Sequence, residues 1–185
     1  DTGLAKAAAA LVICSPFVPL LFMGEEWAAS SPFPYFAGER NDELDGAVRQ
    51  GRLEEFAGFG WDPDEIPDPI AASTFDSARL GWEEIYKADH RDMHAWYRAL
   101  IALRKKRPEL SDPRPSSTGV DEHDSEHAVV VWRGDTAIAV NSDTAPIHLS
   151  LDGERDRTIL LSSHADVELT DDGVLLPPHS VAIIG

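Results

Sequence analysis

Residues 11–27 read LVICSPFVPLLFMGEEW, an almost wholly apolar run that ends in a glycine, two carboxylates and an indole. The residue before a proline avoids the α region, so Ser15-Pro16 ends the Ala-rich helix that we predict for residues 4–14. Residues 20–23 then have the length and composition of a strand buried on both faces. Helix, turn, buried strand and polar cluster together predict an αβ unit whose strand ends at a functional rim.

The overall composition is that of an acidic globular chain. It has 185 residues, of which 43% are hydrophobic, and a formal net charge of −17. Nucleic acids and anionic membranes are bound by basic surfaces, so this charge disfavours both and favours a neutral partner. A membrane helix over residues 7–23 is excluded because Pro16 and Pro19 would break it. We therefore expect no nucleic-acid partner and no membrane partner.

Cysteine and histidine usage gives no sign of a metal site. Cys14 is the only cysteine and stands in an apolar run, which predicts a buried thiol in a reducing, cytoplasmic compartment. His123 and His127 are four residues apart in an acidic loop, and we interpret them as solvated. The chain begins Asp1-Thr2-Gly3 without an initiator methionine, so we expect a piece of a longer protein.

The rest of the chain divides into an insertion, a long helix and a β-rich part. Residues 28–81 are rich in proline and aromatic residues and contain one predicted helix, over 42–59. Residues 90–107 predict an amphipathic helix with cations in its last turn, ended by Pro108. After a Pro/Ser linker at 111–119, alternating runs predict a small antiparallel β-sandwich. These runs cover residues 128–133, 136–141, 147–151, 158–163 and 180–184.

The polar and aromatic groups around the rim allow more than one interpretation. Neighbouring residues of a strand point to opposite faces, so Glu25 and Glu26 do not converge on one bond as paired catalytic carboxylates must. A ligand-facing role for at least one of them stays open. Trp27 is either a sugar-stacking platform or part of the core, and the cluster SPFPYF at 31–36 is either a small core or a sugar-facing wall.

Four stretches, taken in order, resemble one family. They are SPFVPLLFMGEEWAASSPFPYF (15–36), AVRQGRLEEFAGFGW (47–61), STFDSARLGW (73–82) and MHAWYRALIALRKKRPEL (93–110). Together they are similar to the C-terminal part of the malto-oligosyltrehalose trehalohydrolase family, which belongs to the α-amylase-type glycoside hydrolases. The resemblance covers residues 4–112.

The resemblance implies a fold of α/β plus all-β type. Residues 1–112 would be the C-terminal end of a catalytic (β/α)8 barrel, and residues 113–185 a C-terminal β-sandwich domain. Within the barrel part, 4–14 would be helix 7, 20–23 strand 8 and 91–107 helix 8, with the insertion between the last two. An isolated strand 8 would lack its sheet partners, so we expect this part to be ordered only with the rest of the barrel or through self-association.

The resemblance also implies an activity. The family hydrolyses the α-1,4-glucosidic bond next to the trehalose end of maltooligosyl trehalose, needs no metal or organic cofactor, and releases trehalose and a shorter maltodextrin. The substrate, maltooligosyl trehalose or a maltodextrin, would bind through the full-length enzyme. Its catalytic carboxylates would lie upstream of Asp1, so no residue of this chain is assigned as catalytic, and the chain alone is expected to be inactive.

Residue roles are carried over only where the match is closest. The predicted substrate-binding residues are Glu25, Glu26, Trp27 and Phe36, and the predicted structural supports are Arg52, Glu55 and Trp61. Residues 37–40 depart from the family pattern, so no contact is assigned to them. Two alternatives stay open: a non-catalytic carbohydrate-binding or interaction module, and another α-amylase-family enzyme such as a branching enzyme.

Overall fold

The computed structural model describes residues 1–38, 41–123, 127–151 and 156–185. The chain divides into two compact units, one made of residues 1–27 with 85–185 and the other of residues 28–84. The helices are α1 (Thr2–Cys14), α2 (Asp42–Ala57), α3 (Ala72–Ser77), α4 (Ala88–Lys106) and α5 (Pro108–Ser111). The strands are β1 (Thr118–Glu122), β2 (Ala128–Arg133), β3 (Thr136–Asn141), β4 (Ile147–Ser150), β5 (Ile159–Ser162), β6 (Glu168–Leu169), β7 (Gly173–Leu176) and β8 (Ser180–Ile184).

The three predicted helices are confirmed as α1, α2 and α4, with ends that differ by at most two residues from the prediction. Local chemistry sets their limits. The Asp1 carboxylate accepts hydrogen bonds from the N–H groups of Gly3 (2.7 Å) and Leu4 (3.2 Å), which caps α1. The Asn41 side chain caps α2 through the N–H of Leu44 at 2.9 Å. No helix in the described ranges is both long enough and apolar enough to cross a membrane.

The predicted antiparallel sandwich is confirmed as two sheets. One sheet has the strand order β1-β2-β3-β8-β5, and the other has the order β4-β7-β6. All pairs are antiparallel, with Ala139 opposite both Val130 and Ala182 at the centre of the larger sheet. The five predicted strands correspond to β2, β3, β4, β5 and β8, whereas β1, β6 and β7 had not been predicted.

The larger sheet is covered on both faces. Ile138, Val140, Val181 and Ile183 pack against α1 and α4, while the alternating residues Ala137, Ala139, Ala182 and Ile184 pack against the smaller sheet. Because side chains alternate along a strand, this two-sided burial explains why β3 and β8 are buried at every position. Each fully buried isoleucine contributes about 1.5–3 kcal/mol to stability.

Helices α1 and α4 are tied together along their length. The Lys6 ammonium pairs with Asp92 at 2.6 Å, and the Trp96 indole N–H donates to the carbonyl of Lys6 at 3.0 Å. At the other end, Arg104 of α4 donates to the carbonyls of Ile13, Ser15 (2.7 Å) and Phe17 (3.1 Å). These carbonyls have no helical partner, so the guanidinium caps the C-terminus of α1.

Cys14, the last residue of α1, is buried as predicted. Burial raises the pKa of its thiol to about 12, with a smaller opposing effect from the charge of Arg104. The thiol is therefore protonated at neutral pH and packs as a small apolar group. The predicted domains, 1–112 and 113–185, stay a prediction. In the structure, α1 and α4 pack on the larger sheet and belong to the same compact unit as the sandwich.

The prediction of a strand at residues 20–23 is wrong for this chain. Residues 20–22 have no regular secondary structure, Met23 is in a turn, and none of them joins a sheet; their side chains are exposed, with Leu20 at 85%. A strand needs neighbours for its backbone hydrogen bonds, and both sheets of the described structure are formed by residues after 117. Val18, before it, is 93% exposed. Residues 17–23 are called the apolar segment below.

The predicted linker at 111–119 is ordered by a buried guanidinium. Arg133, at the end of β2, is fully buried and donates to the backbone carbonyls of Glu109 (3.1 Å) and Asp112 and to the Thr118 hydroxyl. Arg114 pairs with the Asp112 side chain at 2.7 Å on the surface. The chain between α4 and β1 therefore follows a fixed path.

Candidate functional site

Residues 24–27 form a tight turn at the end of the apolar segment. The N–H of Glu25 donates to the carbonyl of Phe22 at 3.0 Å, and Glu25–Trp27 is one turn of 3-10 helix. Gly24 has φ +83°, a value that favours glycine because it has no Cβ. The predicted strand geometry for Glu25 and Glu26 is thus replaced by a 3-10 turn, in which successive side chains lie about 120° apart. Two adjacent carboxylates still point in different directions.

Helix α4 holds this turn by two hydrogen bonds. The Tyr97 hydroxyl donates to Oε1 of Glu25 at 3.4 Å, and Nδ1 of His90 lies 2.8 Å from the carbonyl oxygen of Trp27. Burial, followed by the charge of Glu25, raises the pKa of Tyr97 to about 12. The phenol therefore stays protonated and keeps its role as a donor. His90 and Tyr97, two helical turns apart on α4, had no recognisable signal in the sequence.

Trp27 is buried, with 2% of its surface exposed. Of the two interpretations of this residue, the structure agrees with core packing, because a ring without exposed surface has no face on which a sugar can stack. Glu25 and Glu26 are both partly exposed. Their predicted contact with substrate stays a prediction.

In the unit of residues 28–84, aromatic and proline side chains surround an open pocket of about 370 Å³. One wall is formed by residues 32–35, another by Arg52 and Phe56 of α2 with Trp61, and the third by residues 65–67. We call this the aromatic pocket. Ligand sites in proteins are typically concave, of this size, and lined by apolar groups with a few polar ones.

Arg52 joins two walls of the aromatic pocket. Its guanidinium lies 4.2 Å from the ring centroid of Phe56 and 5.1 Å from that of Tyr35, and it pairs with Glu55 at 2.7 Å. These contacts connect α2 to the 32–35 segment, as a supporting residue would. The ring centroids of Trp61 and Phe56 lie 5.0 Å apart. A structural role predicts a buried side chain, yet 54% of the surface of Trp61 is exposed.

Phe36 lies in a separate cleft of the same unit. Its ring meets Phe75 edge-on with centroids 5.2 Å apart, in a cleft of about 330 Å³ that residues 69–72 also line. Asp68 orders this region: it accepts hydrogen bonds from the N–H of Ile70 and from Arg49, and these lower the pKa of its carboxyl. Residues 39–40, half of the departing stretch 37–40, lie outside the described residues.

The predicted substrate-binding residues therefore fall in both units. Glu25, Glu26 and Trp27 belong to the unit with the sandwich, and Phe36 belongs to residues 28–84. Their joint role at one site stays a prediction. Among the residues that the structure describes, no three His, Cys, Asp or Glu side chains converge in a way that could hold a metal ion.

Comparison with known proteins identifies the family. No protein-family model matches the chain. It is 36% identical over 182 residues to the malto-oligosyltrehalose trehalohydrolase of Rhizobium sp. (strain M-11), which covers 98% of this chain. It is 39% identical over 176 residues to the enzyme of the same name from Mycobacterium tuberculosis (strain CDC 1551 / Oshkosh), which covers 95% of it. The chain belongs to the malto-oligosyltrehalose trehalohydrolase family.

The match to this family is partial in length. The chain spans about 30% of the curated relatives it matches and corresponds to their C-terminal part. A solved Salmonella typhimurium structure that carries an alpha-amylase name is similar to 98% of this chain and 30% of its own, with a TM-score of 0.79 and 32% identity. The trehalohydrolase family and the α-amylase-type fold inferred from the four sequence stretches are thereby supported independently.

Proposed function

We propose that this chain supplies the C-terminal part of an enzyme that hydrolyses the α-1,4-glucosidic bond next to the trehalose end of maltooligosyl trehalose. The observation that carries this proposal is the identity of 36–39% with proteins named malto-oligosyltrehalose trehalohydrolase over nearly the whole chain. The acidic composition, with a net charge of −17, suits a neutral oligosaccharide better than an anionic ligand. Reaction products would be trehalose and a shorter maltodextrin.

The proposed place of this chain in the enzyme is the last segment of a (β/α)8 barrel. Helix α1 would be barrel helix 7, residues 20–23 strand 8 and α4 helix 8. The exposed apolar segment supports this proposal, because Leu20 and its neighbours have the composition of a buried parallel strand but no partner strand among the described residues. Barrel enzymes act at the C-terminal ends of their strands, where residues 24–27 would then lie.

In this proposal the chemistry belongs to carboxylates outside residues 1–185. A retaining glycosidase uses one carboxylate as nucleophile and another as general acid/base, and passes through a covalent glycosyl intermediate. The contribution of this chain would be a rim that contacts substrate through Glu25 or Glu26. Tyr97 and His90 would fix that rim through their contacts with Glu25 and the Trp27 carbonyl.

A non-catalytic carbohydrate-binding sandwich is the weaker alternative. Such a module would bind sugar on exposed aromatics of its sheets, and Trp132 is the only aromatic residue after Tyr97. The Arg157 guanidinium lies 5.0 Å from the Trp132 ring, and the indole N–H donates to Asp121. These contacts occupy the side chain within the sandwich. The comparisons likewise favour the trehalohydrolase proposal over this alternative and over a branching enzyme.

The activity is tested with the protein encoded from the sequence upstream of Asp1 through Gly185, called the extended protein here. We expect it to convert maltotriosyl trehalose to trehalose and maltotriose, and to act far more slowly on a linear maltooligosaccharide of equal length. Product chromatography separates these sugars. Release of glucose or maltose instead of trehalose, or formation of α-1,6 branches, would contradict the proposal.

A further inference from the structure

The aromatic pocket is built from side chains that a folded unit of this size seldom leaves in water. Phe33 is 62% exposed, Tyr35 51% and Trp61 54%, and all three line the same cavity. Exposed apolar patches of this kind mark surfaces that bind something. The cavity of about 370 Å³ lies in the range of small-molecule sites and is formed within residues 28–84.

The polar groups of the pocket define what it could bind. A guanidinium carries five N–H donors, and Arg52 donates a hydrogen bond to Glu55 at 2.7 Å. Glu65 also lines the cavity and supplies acceptors. The charge of Arg52 is paired with Glu55, and Glu65 adds a negative charge to the lining, so the pocket has no excess positive charge with which to hold a phosphate or a carboxylate. Its ligand should therefore be neutral, with hydroxyl groups at its edge.

A glucose ring has both of the required surfaces. Its faces carry C–H groups that stack on aromatic rings, and its edge carries hydroxyls that donate to a carboxylate and accept from a guanidinium. The Arg52 guanidinium lies 5.1 Å from the ring centroid of Tyr35 and 4.2 Å from that of Phe56, so polar and aromatic groups stand next to one another. Trp61 stands 5.0 Å from Phe56 and adds the largest exposed ring.

We infer that the aromatic pocket binds α-1,4-linked glucose units of a maltooligosaccharide. The choice of the α-1,4 linkage rests on the proposed function, since the relatives are named for a malto-oligosyl substrate. The stacking groups are Trp61 and Tyr35, and the hydroxyl-binding groups are Arg52 and Glu65. Trp61 would thus bind sugar rather than act only as a structural support.

Binding is measured on residues 1–185 with maltoheptaose as the probe, by isothermal titration calorimetry. We expect saturable binding with a dissociation constant on the order of 1 mM, as suits a small open site. Trp61→Ala and Tyr35→Ala should each weaken it about tenfold, because each removes one stacking ring. Trp61→Phe, which keeps a ring, should retain most of the affinity. Circular dichroism of each variant shows whether the fold is intact.

The matched control is Trp82→Ala, because Trp82 is an exposed tryptophan of the same unit that does not line the pocket. It should bind maltoheptaose as the unchanged chain does, and cellohexaose, with β-1,4 links, should bind weakly to all variants. No saturable binding, equal affinity of Trp61→Ala and the unchanged chain, or equal affinity for cellohexaose would overturn the inference. If Trp61→Ala is unfolded and Tyr35→Ala binds maltoheptaose as the unchanged chain does, the two rings serve packing. That result would also overturn the inference.

This binding test is independent of trehalose release, which is assayed on the extended protein. If that protein releases trehalose and Trp61→Ala leaves its KM for long substrates unchanged, the proposed function stands and the pocket assignment fails. If residues 1–185 bind maltoheptaose through Trp61 but the extended protein releases no trehalose, the pocket assignment stands and the proposed activity fails.

Discussion

Residues 1–185, purified alone, should release no trehalose from maltooligosyl trehalose. Retaining hydrolysis needs two carboxyl groups about 5–5.5 Å apart on either side of the scissile bond. Glu25 and Glu26 are adjacent in a 3-10 turn and point in different directions, and Glu25 is engaged by Tyr97. Enzymes accelerate such reactions by at least about 10⁶-fold, so the isolated chain should fall short of the extended protein by that factor or more.

The measurement is trehalose formed per mole of protein over long incubation at equal concentrations of the two proteins. Glu25→Gln in residues 1–185 serves as a control against a contaminating hydrolase, since any trace activity should be the same in this variant. Trehalose release by residues 1–185 that disappears in Glu25→Gln would show that this chain carries catalysis by itself.

Arg133→Ala should lower the free energy of unfolding of the sandwich unit by about 3 kcal/mol or more. The guanidinium is fully buried and satisfies the carbonyls of Glu109 and Asp112 and the hydroxyl of Thr118. Its removal would leave these acceptors unpaired, at about 1–3 kcal/mol for each one that stays buried. The loss is a large share of the stability of an ordinary domain.

Urea unfolding followed by circular dichroism measures this effect. Arg114→Ala is the matched control, because Arg114 lies in the linker that Arg133 contacts but has a side chain that is 75% exposed and makes a surface pair with Asp112. An exposed pair contributes about 1 kcal/mol or less, so this control should unfold close to the unchanged protein. Equal midpoints for the two variants would mean that Arg133 does not hold the linker.

The helices and most strands could be predicted from the sequence because their signals are local. The alanine-rich run and Ser15-Pro16 predict the ends of α1, and the cations before Pro108 predict the end of α4. The observed ends lie within two residues of the predicted ones. The strands that were missed are short or polar: β6 has two residues, and β1 reads TGVDE. Such segments become strands through their neighbours, β1 through β2 and β6 through β7, and a single sequence does not display these partners.

Long-range contacts account for what the sequence could not indicate at the candidate sites. The sequence shows Arg133 only as the first residue of an Arg-Gly-Asp turn. Its burial depends on the carbonyls of Glu109 and Asp112, about twenty residues earlier in the chain. The aromatic cluster at 31–36 was recognised as a core or a sugar-facing wall, but Arg52 of α2 comes to Tyr35 only when α2 folds back on that cluster. Periodicity within α2 carries no information about that encounter.

The apolar segment is the reverse case, in which the sequence predicts a strand that this chain does not form. An apolar run such as LLFM at 20–23 suits a strand covered on both sides, yet in the structure Leu20 and Met23 face solvent. The difference is explained if the partner strands belong to the part of the protein outside residues 1–185. The strand that the sequence of residues 20–23 predicts would then form only in the larger protein.

Amide hydrogen exchange at residues 20–23, compared between residues 1–185 and the extended protein, tests this central claim most directly. Ile138 and Ile183, in the centre of the larger sheet, provide an internal reference that should be protected in both proteins. The account predicts near-unprotected exchange at residues 20–23 in the monomeric chain and exchange slowed by about 100-fold or more in the extended protein. Strong protection of these amides in monomeric residues 1–185 would contradict it.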